Sequence, residues 1–383
     1  MSNPKVKVEL VTIGELEGYA RDSISKAGPT DHVPITLNRA ISQARNPNAS
    51  PQDIALIVAK VGERCGGYIG LIPACLRIGN VKHKINWFTS YYVAESERST
   101  GAGALLIMKA MSLKIDILVT GFTEQAEQIY RSAMKPMGSV QSIRVDRQQA
   151  TATEPRPLFR KLISKAKGAI RRVGPFSSQQ GSPHKSQPSD ALEQRVLSDV
   201  CIEHVNAIKP EHQPECESRK TQSINAEFVR DLDTINWTIV NPWISQGCAD
   251  ESFLYGFDES RSLFRYMPLA MYETSTQRCL GYAVFLLTER WGRRMLQLFD
   301  HHIAPPNTCE VGQMLYGLTA RIAREHDADL WELPQVCVES IGNEKTTVNH
   351  RPYFYMAAGK LSPLLEVKDD IRLDFCDGDI TFG

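Results

Sequence analysis

The sequence predicts an α/β (α+β) protein with two domains, each a mixed, mostly antiparallel sheet flanked by helices. Strand-like and helix-like segments alternate through residues 1–150, and a similar order returns after residue 191. The chain has 383 residues, which is too many for one ordinary hydrophobic core and suits two. A polar, basic stretch separates the two parts. We therefore expect domains at 1–150 and 191–383, joined by a basic segment and linker at 151–190.

The first part contains four segments with the apolar, β-branched and aromatic composition of strands. They are 55–62, 66–79, 84–93 and 115–122. The segment 101–112 is apolar around most of its circumference and predicts a buried helix. A second helix is predicted over 123–138, ending at Pro136 and Gly138.

The second part follows the same pattern in outline. Its predicted strands are 267–273, 279–290, 293–302 and 328–334. Its predicted helices are 191–208, 235–243 and 311–326. This order parallels that of the first part and predicts a related fold.

The linker has no acidic residue between Pro155 and Ser189, and it carries eight Lys and Arg side chains. Its second half is rich in Gly, Ser, Pro and Gln, which predicts a flexible chain. In its first half, Leu158, Leu162 and Ile170 share one helical stripe opposite a wholly basic face. A helix over 156–172 would suit peripheral contact with an anionic membrane surface, or else packing against its own domain.

The composition excludes several classes of protein. Lys and Arg number 44, and Asp and Glu also number 44, so no overall field attracts a polyanion and no DNA partner is expected. The nine cysteines are scattered without a CxxC pair, so we expect neither a disulfide framework nor a bound metal. The segment MSNPKVKVEL lacks the apolar core of a signal peptide, and no run of about 18 apolar residues predicts a membrane span. We therefore expect a cytoplasmic protein, peripheral at the inner membrane face if 156–172 binds lipid.

One loop has the character of an anion-binding site. The predicted strand 84–93 runs through AESE towards Arg98, Gly101 and Gly103, and a helix begins at once. Two glycines between a strand and a helix leave backbone N–H groups uncovered at the positive helix end, beside the charge of Arg98. A Cβ there would keep a pyrophosphate away from the amides.

Spacing excludes two other families of glycine loop. A dinucleotide fingerprint needs a third small residue where this chain has Leu106, and a P-loop needs Gly-Lys-Ser/Thr, which is absent. A tight turn without a ligand remains the alternative interpretation of Gly101 and Gly103.

The pattern Arg98-x-x-Gly101-x-Gly103 resembles the pyrophosphate motif Arg/Gln-x-x-Gly-x-Gly/Ala of the GNAT acyl-CoA N-acyltransferase superfamily. The segments GLIP, NWFTSYYV and ILVTGFTEQAEQIYRSAMKPMG follow the order of elements in that family. The resemblance covers about residues 50–140. Within the superfamily, the sequence is most similar to GNAT proteins encoded with bacterial surface-polysaccharide genes. The second part resembles a diverged second repeat, so the chain resembles a tandem GNAT protein.

The resemblance implies an N-acyltransferase that uses acetyl-CoA or another acyl-CoA as co-substrate. Pyrophosphate would bind the loop amides, and pantetheine would pair with the backbone of the preceding strand. The residues implied in acyl-CoA binding are Tyr91, Tyr92, Val93, Arg98, Ser99, Thr100, Gly101, Ala102, Gly103 and Ala104. A strand N–H would stabilise the oxyanion of the tetrahedral intermediate. Tyr130 falls where family members carry the catalytic tyrosine that protonates the leaving thiolate.

The base that deprotonates the amine is left unassigned. The strand position that is acidic in related proteins is Ser90 here, and Glu95 and Glu97 lie in the phosphate loop. Deprotonation through water, or binding of an amine that is already neutral, stays open.

The second part departs from the motif at the corresponding loop. Residues 301–310 contain two prolines and no glycine pair, so we expect this part to shape the acceptor pocket or the domain interface rather than bind CoA. His301 and His302 are strand neighbours that point to opposite faces, which favours structural roles or substrate contact over a metal site.

The leading prediction is acyl transfer to an amine that is a small molecule or is linked to a lipid or nucleotide. The family resemblance suggests an amino sugar of surface-polysaccharide synthesis. Two alternatives stay open. One is a GNAT-shaped binding or scaffold protein without catalysis, which is favoured by the absence of an acidic residue at the position of Ser90. The other is an aminoacyl-tRNA-dependent transferase of the tandem GNAT type, which would need a basic groove at 156–172.

Overall fold

The computed structural model describes most of both parts of the chain. Described are residues 6–28, 31–146, 189–214, 226–244, 255–256, 262–290, 292–304, 311–334, 336–337, 346–356, 361, 371–373 and 377. The predicted basic segment 156–172 lies outside these residues, so its predicted membrane contact stays a prediction. None of the helices in the described ranges is long and apolar enough to cross a membrane.

Seven α-helices and fourteen strands are found in these ranges. The helices are α1 Leu16–Lys26, α2 Leu37–Ala44, α3 Ala102–Ser112, α4 Glu124–Ala133, α5 Ser189–Leu197, α6 Leu232–Val240 and α7 Val311–Glu325. The strands are β1 Val6–Thr12, β2 Ile54–Val61, β3 Arg64–Ile78, β4 Val81–Val93, β5 Ile117–Val119, β6 Lys135–Asp146, β7 Val200–His204, β8 Ala226–Phe228, β9 Leu263–Glu273, β10 Cys279–Arg290, β11 Arg293–Ile303, β12 Leu330–Pro334, β13 Thr346–Tyr355 and β14 Ile371–Arg372.

The strands form one mixed sheet, and the predicted α/β (α+β) class is confirmed. Along the sheet the order is β1-β2-β3-β4-β5-β13-β6-β12-β11-β10-β9-β7, with β8 beside β3 and β14 beside β8. Most neighbours are antiparallel. Parallel pairs are β4 with β5, β11 with β12, and the short β8 with β14.

The two parts of the chain exchange strands at the centre of the sheet. β13 comes from the second part, yet it lies between β5 and β6 of the first. Its residues 346–355 pair antiparallel with residues 135–145 of β6, and β6 in turn pairs with β12. The sequence predicted a sheet for each part, whereas the structure joins them, because local patterns carry no information about pairing between distant strands.

One arrangement occurs twice in this sheet. Three antiparallel strands lead through a helix into a parallel neighbour, first as β2-β3-β4, α3 and β5, and again as β9-β10-β11, α7 and β12. The second occurrence runs inward from the opposite edge of the sheet.

The helix predicted over 123–138 is shorter than expected. α4 ends at Ala133, and Pro136 and Gly138 lie in β6. Pro136 pairs with Phe354 and Gly138 with Tyr353, so Met137 forms a bulge between them. Proline is tolerated in strands at such irregular points, and it therefore marks a bulged strand here rather than a helix end.

Alternating residues of β2 separate two cores. Leu56 and Val58 face a core that includes Leu16 of α1 and Ala40 of α2. Ile57 and Ala59 face the opposite core, which includes residues of α3 and α4. Because strand side chains alternate, the first part has a helical layer on each face of the sheet.

Glu332 lies where the exchanged strands meet, and it is buried. Its carboxylate accepts hydrogen bonds from Ser142 Oγ of β6 at 2.5 Å, Gln297 Nε2 of β11 at 3.1 Å and Asn349 Nδ2 of β13 at 3.3 Å. Burial acts to raise the pKa of this carboxyl, but the Arg144 guanidinium and the Ser142 hydrogen bond outweigh it and lower the pKa below the ordinary glutamate value. The carboxylate thus links strands from both parts.

We expect Glu332→Gln to lower the free energy of unfolding by about 3 kcal/mol at pH 7, since an amide disrupts a buried charged network. The folded-state pKa is lowered, so the carboxylate's contribution is fully present above the unfolded pKa of about 4.3 and is lost as the pH falls through the folded pKa. The difference in the free energy of unfolding between wild type and variant, measured by urea denaturation, should therefore become smaller below about pH 4. Glu325→Gln, at an exposed pair with Arg321, is the control and should cost under about 0.5 kcal/mol. A gap that does not change with pH would contradict this role of the charge.

Candidate functional site

A β-bulge interrupts β4 near its C-terminal end. Thr89 pairs with Gly70 and Tyr92 with Tyr68, so two residues of β4, Ser90 and Tyr91, face one residue of β3. Ser90 has φ of 53°, a left-handed conformation that non-glycine residues rarely adopt. Such bulges bend a strand and re-aim its side chains, and they are frequent beside active sites.

Beside the bulge, β4 and β5 separate. They pair only at Asn86 with Ile117 and at Trp87 with Leu118. β5 continues against β13, where Val119 pairs with Phe354. In the described residues, the edge of β4 that faces β5 has no strand partner from residue 88 to residue 93. The two strands therefore enclose a wedge that opens towards the end of β4.

Two amides of β4 face this wedge. The Ala94 N–H donates to Gly66 O of β3 at 2.9 Å. Backbone groups alternate between the two edges of a strand, so the groups of Tyr92 also face β3, whereas those of Val93 and Tyr91 face the wedge. The predicted acyl-CoA pairing of Tyr91 and Val93 fits this geometry. The role of Tyr92 in acyl-CoA binding stays a prediction, because the backbone groups of Tyr92 are directed towards β3 and not towards the wedge.

A short turn leads from β4 into α3. A 3-10 turn at Glu95–Glu97 is followed by Arg98 and Ser99, which are exposed, and by Thr100, whose hydroxyl donates to Glu97 O at 2.7 Å. Gly101 caps α3 with φ of 82°. This left-handed conformation, with open space where a Cβ would lie, explains the glycine.

The N-terminus of α3 presents free backbone amides. Thr100 Oγ1 accepts a bond of 3.4 Å from the Ala102 N–H. Among the described residues, the N–H groups of Gly101, Gly103 and Ala104 have no hydrogen-bond acceptor. Ala104 is exposed and Gly103 half-buried. Together with Arg98, these amides form a site suited to an anion of phosphate type.

Gly103 has a second structural reason that the sequence did not show. The expectation was that a Cβ would keep pyrophosphate from the amides. In the structure, a Cβ on Gly103 would lie 2.6 Å from the Tyr91 hydroxyl and 3.3 Å from Val93 Cγ2. The glycine thus allows α3 to pack closely on the bulged strand, and the pattern alone could not show this contact.

Tyr130 lies in the core between the wedge strands and α4. Its ring is buried, edge-on to Phe88 of β4 at 5.6 Å and to Phe122 at 5.3 Å between ring centroids. Phe88 immediately precedes the separated part of β4. The structure therefore holds Tyr130 beside the wedge, and its proposed role as an acid stays a prediction.

On the opposite face of the sheet, residues from both parts of the chain surround Ser90. The Tyr255 hydroxyl donates to Ser90 Oγ at 2.8 Å, and Arg39 of α2 donates to the same oxygen at 3.1 Å. The buried Arg39 guanidinium lies 4.4 Å from the Trp243 ring centroid and 4.9 Å from that of Tyr255. The second part thus contributes side chains to the site around the bulge.

A row of aromatic rings extends from Tyr255 towards the end of β4. The Tyr68 ring stacks on Tyr255 at 5.8 Å and contacts Tyr92 at 5.4 Å. The Tyr92 hydroxyl lies 2.9 Å from His32 Nε2. Burial raises the pKa of Tyr92 above its ordinary value. Sequence reasoning missed Arg39, His32 and Tyr255, since no local motif marks side chains that meet only through folding.

The second part has a bulge at the corresponding strand. Val284 pairs with Asp300 and Phe285 with Leu298, which leaves Phe299 unpaired in β11. Asp300 is buried and accepts a hydrogen bond of 3.2 Å from the Tyr282 hydroxyl. The ring of His302 donates from Nε2 to Pro214 O at 2.8 Å. Residues 305–310 of the adjoining loop lie outside the described ranges.

The described residues contain no group of three or more His, Cys, Asp and Glu side chains that could hold a metal ion.

Comparison with solved structures finds chains of low sequence identity. A GCN5-related N-acetyltransferase from Anabaena variabilis aligns with a TM-score of 0.47 at 11% identity, over 92% of this chain and 72% of that one. Another from Kribbella flavida gives 0.48 at 10% identity, over 92% and 71%. Saccharomyces cerevisiae N-myristoyltransferase with bound myristoyl-CoA gives 0.45 at 8% identity, over 93% and 83%. No family model and no curated protein matches the sequence. The function is therefore inferred from the residues of this chain.

We expect Gly103→Ala to lower the free energy of unfolding by about 1–3 kcal/mol, because its Cβ would meet the Tyr91 hydroxyl. Tyr91→Phe removes that oxygen, so the double variant should recover most of the loss. Denaturant unfolding of the wild type, both single variants and the double variant measures the coupling. A double variant as unstable as Gly103→Ala would show that this contact is not the reason for the glycine.

Proposed function

We propose that this chain is an acyl-CoA-dependent N-acyltransferase of the tandem GNAT type. The observation that carries the proposal is the combination, at one end of β4, of a strand bulge, a separated parallel neighbour and a helix N-terminus with free amides. A thioester needs a polarising donor beside a linear channel, and a phosphate needs amides at the mouth of that channel. The wedge between β4 and β5 offers both.

Acyl-CoA would lie in the wedge with its pyrophosphate on the amides of Gly101, Gly103 and Ala104. Arg98 is exposed beside them and would neutralise part of the phosphate charge. The pantetheine would pair with the open edge of β4 at Tyr91 and Val93 as an added strand does. The proposed acyl donor is acetyl-CoA or another acyl-CoA.

The chemistry is transfer of the acyl carbon from sulfur to nitrogen. The amine lone pair attacks the thioester carbonyl, and a β4 N–H facing the wedge stabilises the oxyanion. The C–S bond then breaks with its electrons on sulfur, and Tyr130 supplies a proton to the thiolate. Overall, an ammonium ion and an acyl thioester give an amide, a free thiol and one proton.

The acceptor would reach the bulge from the face that carries α1 and α2. Residues of both parts meet there, since Tyr255 and Trp243 adjoin Ser90 and Arg39. The proposed acceptor is an amine, free or linked to a lipid or nucleotide, and an amino sugar of surface-polysaccharide synthesis is one candidate. A scaffold function without catalysis is the second candidate, because the bulge position carries the hydroxyl of Ser90 rather than a carboxylate.

We expect wild type to bind acetyl-CoA and Gly101→Ala to bind it at least about tenfold more weakly, a loss of about 1.4 kcal/mol. The alanine is strained at φ of 82° and would move the first amides of α3. Gly79→Ala is the matched control, since Gly79 has φ of 57° with equally open space and lies in the remote β3–β4 turn. Calorimetric titration measures the affinities. Absence of acetyl-CoA binding in folded wild type would exclude the proposed function.

We expect Tyr130→Phe to slow thiol release from acetyl-CoA by about 100-fold while leaving acetyl-CoA affinity unchanged, because the ring packing remains and only the proton donor is lost. Hydroxylamine, a small amine that is unprotonated at neutral pH, serves as the probe acceptor in a thiol assay. Tyr272→Phe, at a tyrosine of β9 far from the wedge, is the control. A wild type that binds acetyl-CoA but releases no thiol would favour the scaffold function.

A further inference from the structure

A hydrogen-bonded pair of ionisable side chains lies on the acceptor face of the bulged strand. His32 belongs to the segment between α1 and α2, and its Nε2 lies 2.9 Å from the Tyr92 hydroxyl. The two rings meet edge-on at 5.0 Å between centroids. Both side chains are only half-buried, so a ligand on this face can approach them.

The packing around the pair fixes its geometry. Val33, the neighbour of His32, forms an isolated bridge with Tyr255, whose hydroxyl donates to Ser90. Gly256 lies directly over the Tyr92 ring, where a Cβ would come within 2.6 Å of ring carbon Cδ2. The pair is thus tied to the bulge through Tyr255 and is part of the same site.

Other charged and ionisable groups lie near the pair, and the charges of Arg98 and Glu95 act on the Tyr92 hydroxyl. Arg39 is a permanent cation. Burial raises the pKa of the Tyr68 hydroxyl well above its ordinary value and raises that of the Cys65 thiol to about 12. The Asp31 carboxylate is engaged by the Gly28 N–H at 2.9 Å. Histidine is the side chain that ordinarily gains and loses a proton near neutral pH.

We propose that His32 accepts, through the Tyr92 hydroxyl, the proton that the acceptor amine must lose before it attacks the thioester. The proposal rests on the proposed acyl transfer and supplies the base that Ser90 lacks. Tyr92 is the catalytic residue that touches the amine, and His32 acts through it.

The proton moves along one short path. The ammonium group gives a proton to Tyr92 Oη while the Tyr92 hydroxyl proton passes to His32 Nε2. The amine keeps the electron pair of the broken N–H bond and uses it to form the bond to the acyl carbon. The imidazolium later releases the proton to water, and the thiolate receives its own proton from Tyr130.

The second ring nitrogen of His32, Nδ1, is compatible with this proton path. His32 Nδ1 is buried and has no hydrogen-bond partner among the described residues. When Nε2 accepts from Tyr92, the ring hydrogen is on Nδ1, and it stays there when Nε2 gains a proton. Protonation therefore creates no additional unpaired donor.

Two probe amines separate proton transfer from a structural role. Methylamine is an ammonium ion at neutral pH and needs a base, whereas hydroxylamine is already neutral, and both are small enough to enter any acceptor pocket. His32→Gln keeps a hydrogen-bonding group near Tyr92 but cannot accept a proton, and Tyr92→Phe removes the relay. We expect each variant to lose about 100-fold in turnover of methylamine with acetyl-CoA, and to stay within about threefold of wild type with hydroxylamine. The double variant should be no slower than either single variant, because the pair acts as a unit.

His83→Gln, the same substitution near the other end of β4, is the control and should leave both rates unchanged. Equal losses with both amines, or a loss with neither, would overturn the relay while leaving acyl transfer intact. A wild type that releases no thiol with hydroxylamine would remove the proposed function, and the relay with it.

Discussion

The separation of β4 from β5 after two residue pairs is the constraint on which the site depends. If the strands stayed paired, the amides of Tyr91 and Val93 would be bonded to β5, and no channel would lead to the N-terminus of α3. The bulge at Ser90 bends β4 away, while β13 holds β5 on its other edge. The wedge is therefore a product of sheet topology. The residues of the loop between β4 and α3 only line its open end.

Neither part of the chain completes the site alone. The first part supplies β4, the loop and α3, but Tyr255 and Trp243 of the second part adjoin Ser90 and Arg39. The Ser42 hydroxyl of α2 also donates to Asn241 O, which follows α6. The second part also has a bulge, in β11, and in the described residues it contributes side chains to the surroundings of Ser90.

Local patterns predicted the strands and helices that lead into the loop, because β-branched runs and the glycine pair signal structure within a few residues. They also located Arg98, Gly101 and Gly103. Long-range contacts were not predictable in this way. The insertion of β13 beside β5 joins residues 354 and 119, and His32 meets Tyr92 only after α1 and α2 pack on the sheet. Pro136 shows the converse limit, since a residue that usually ends helices here lies beside a bulge of β6, where it pairs with Phe354 of β13.

The exchange of strands also has a consequence for biosynthesis. A ribosome makes the first part well before residues 346–355, so β5 and β6 emerge without the strand that separates them. Their unpaired edges are open to wrong partners during this interval, as exposed strand edges in nascent chains are. Closure of the sheet joins residues about 200 positions apart, a contact of high sequence separation that slows folding. β13 thus joins the two ends of the sheet, and its pairing with β5 and β6 has to wait until residues 346–355 have been synthesised.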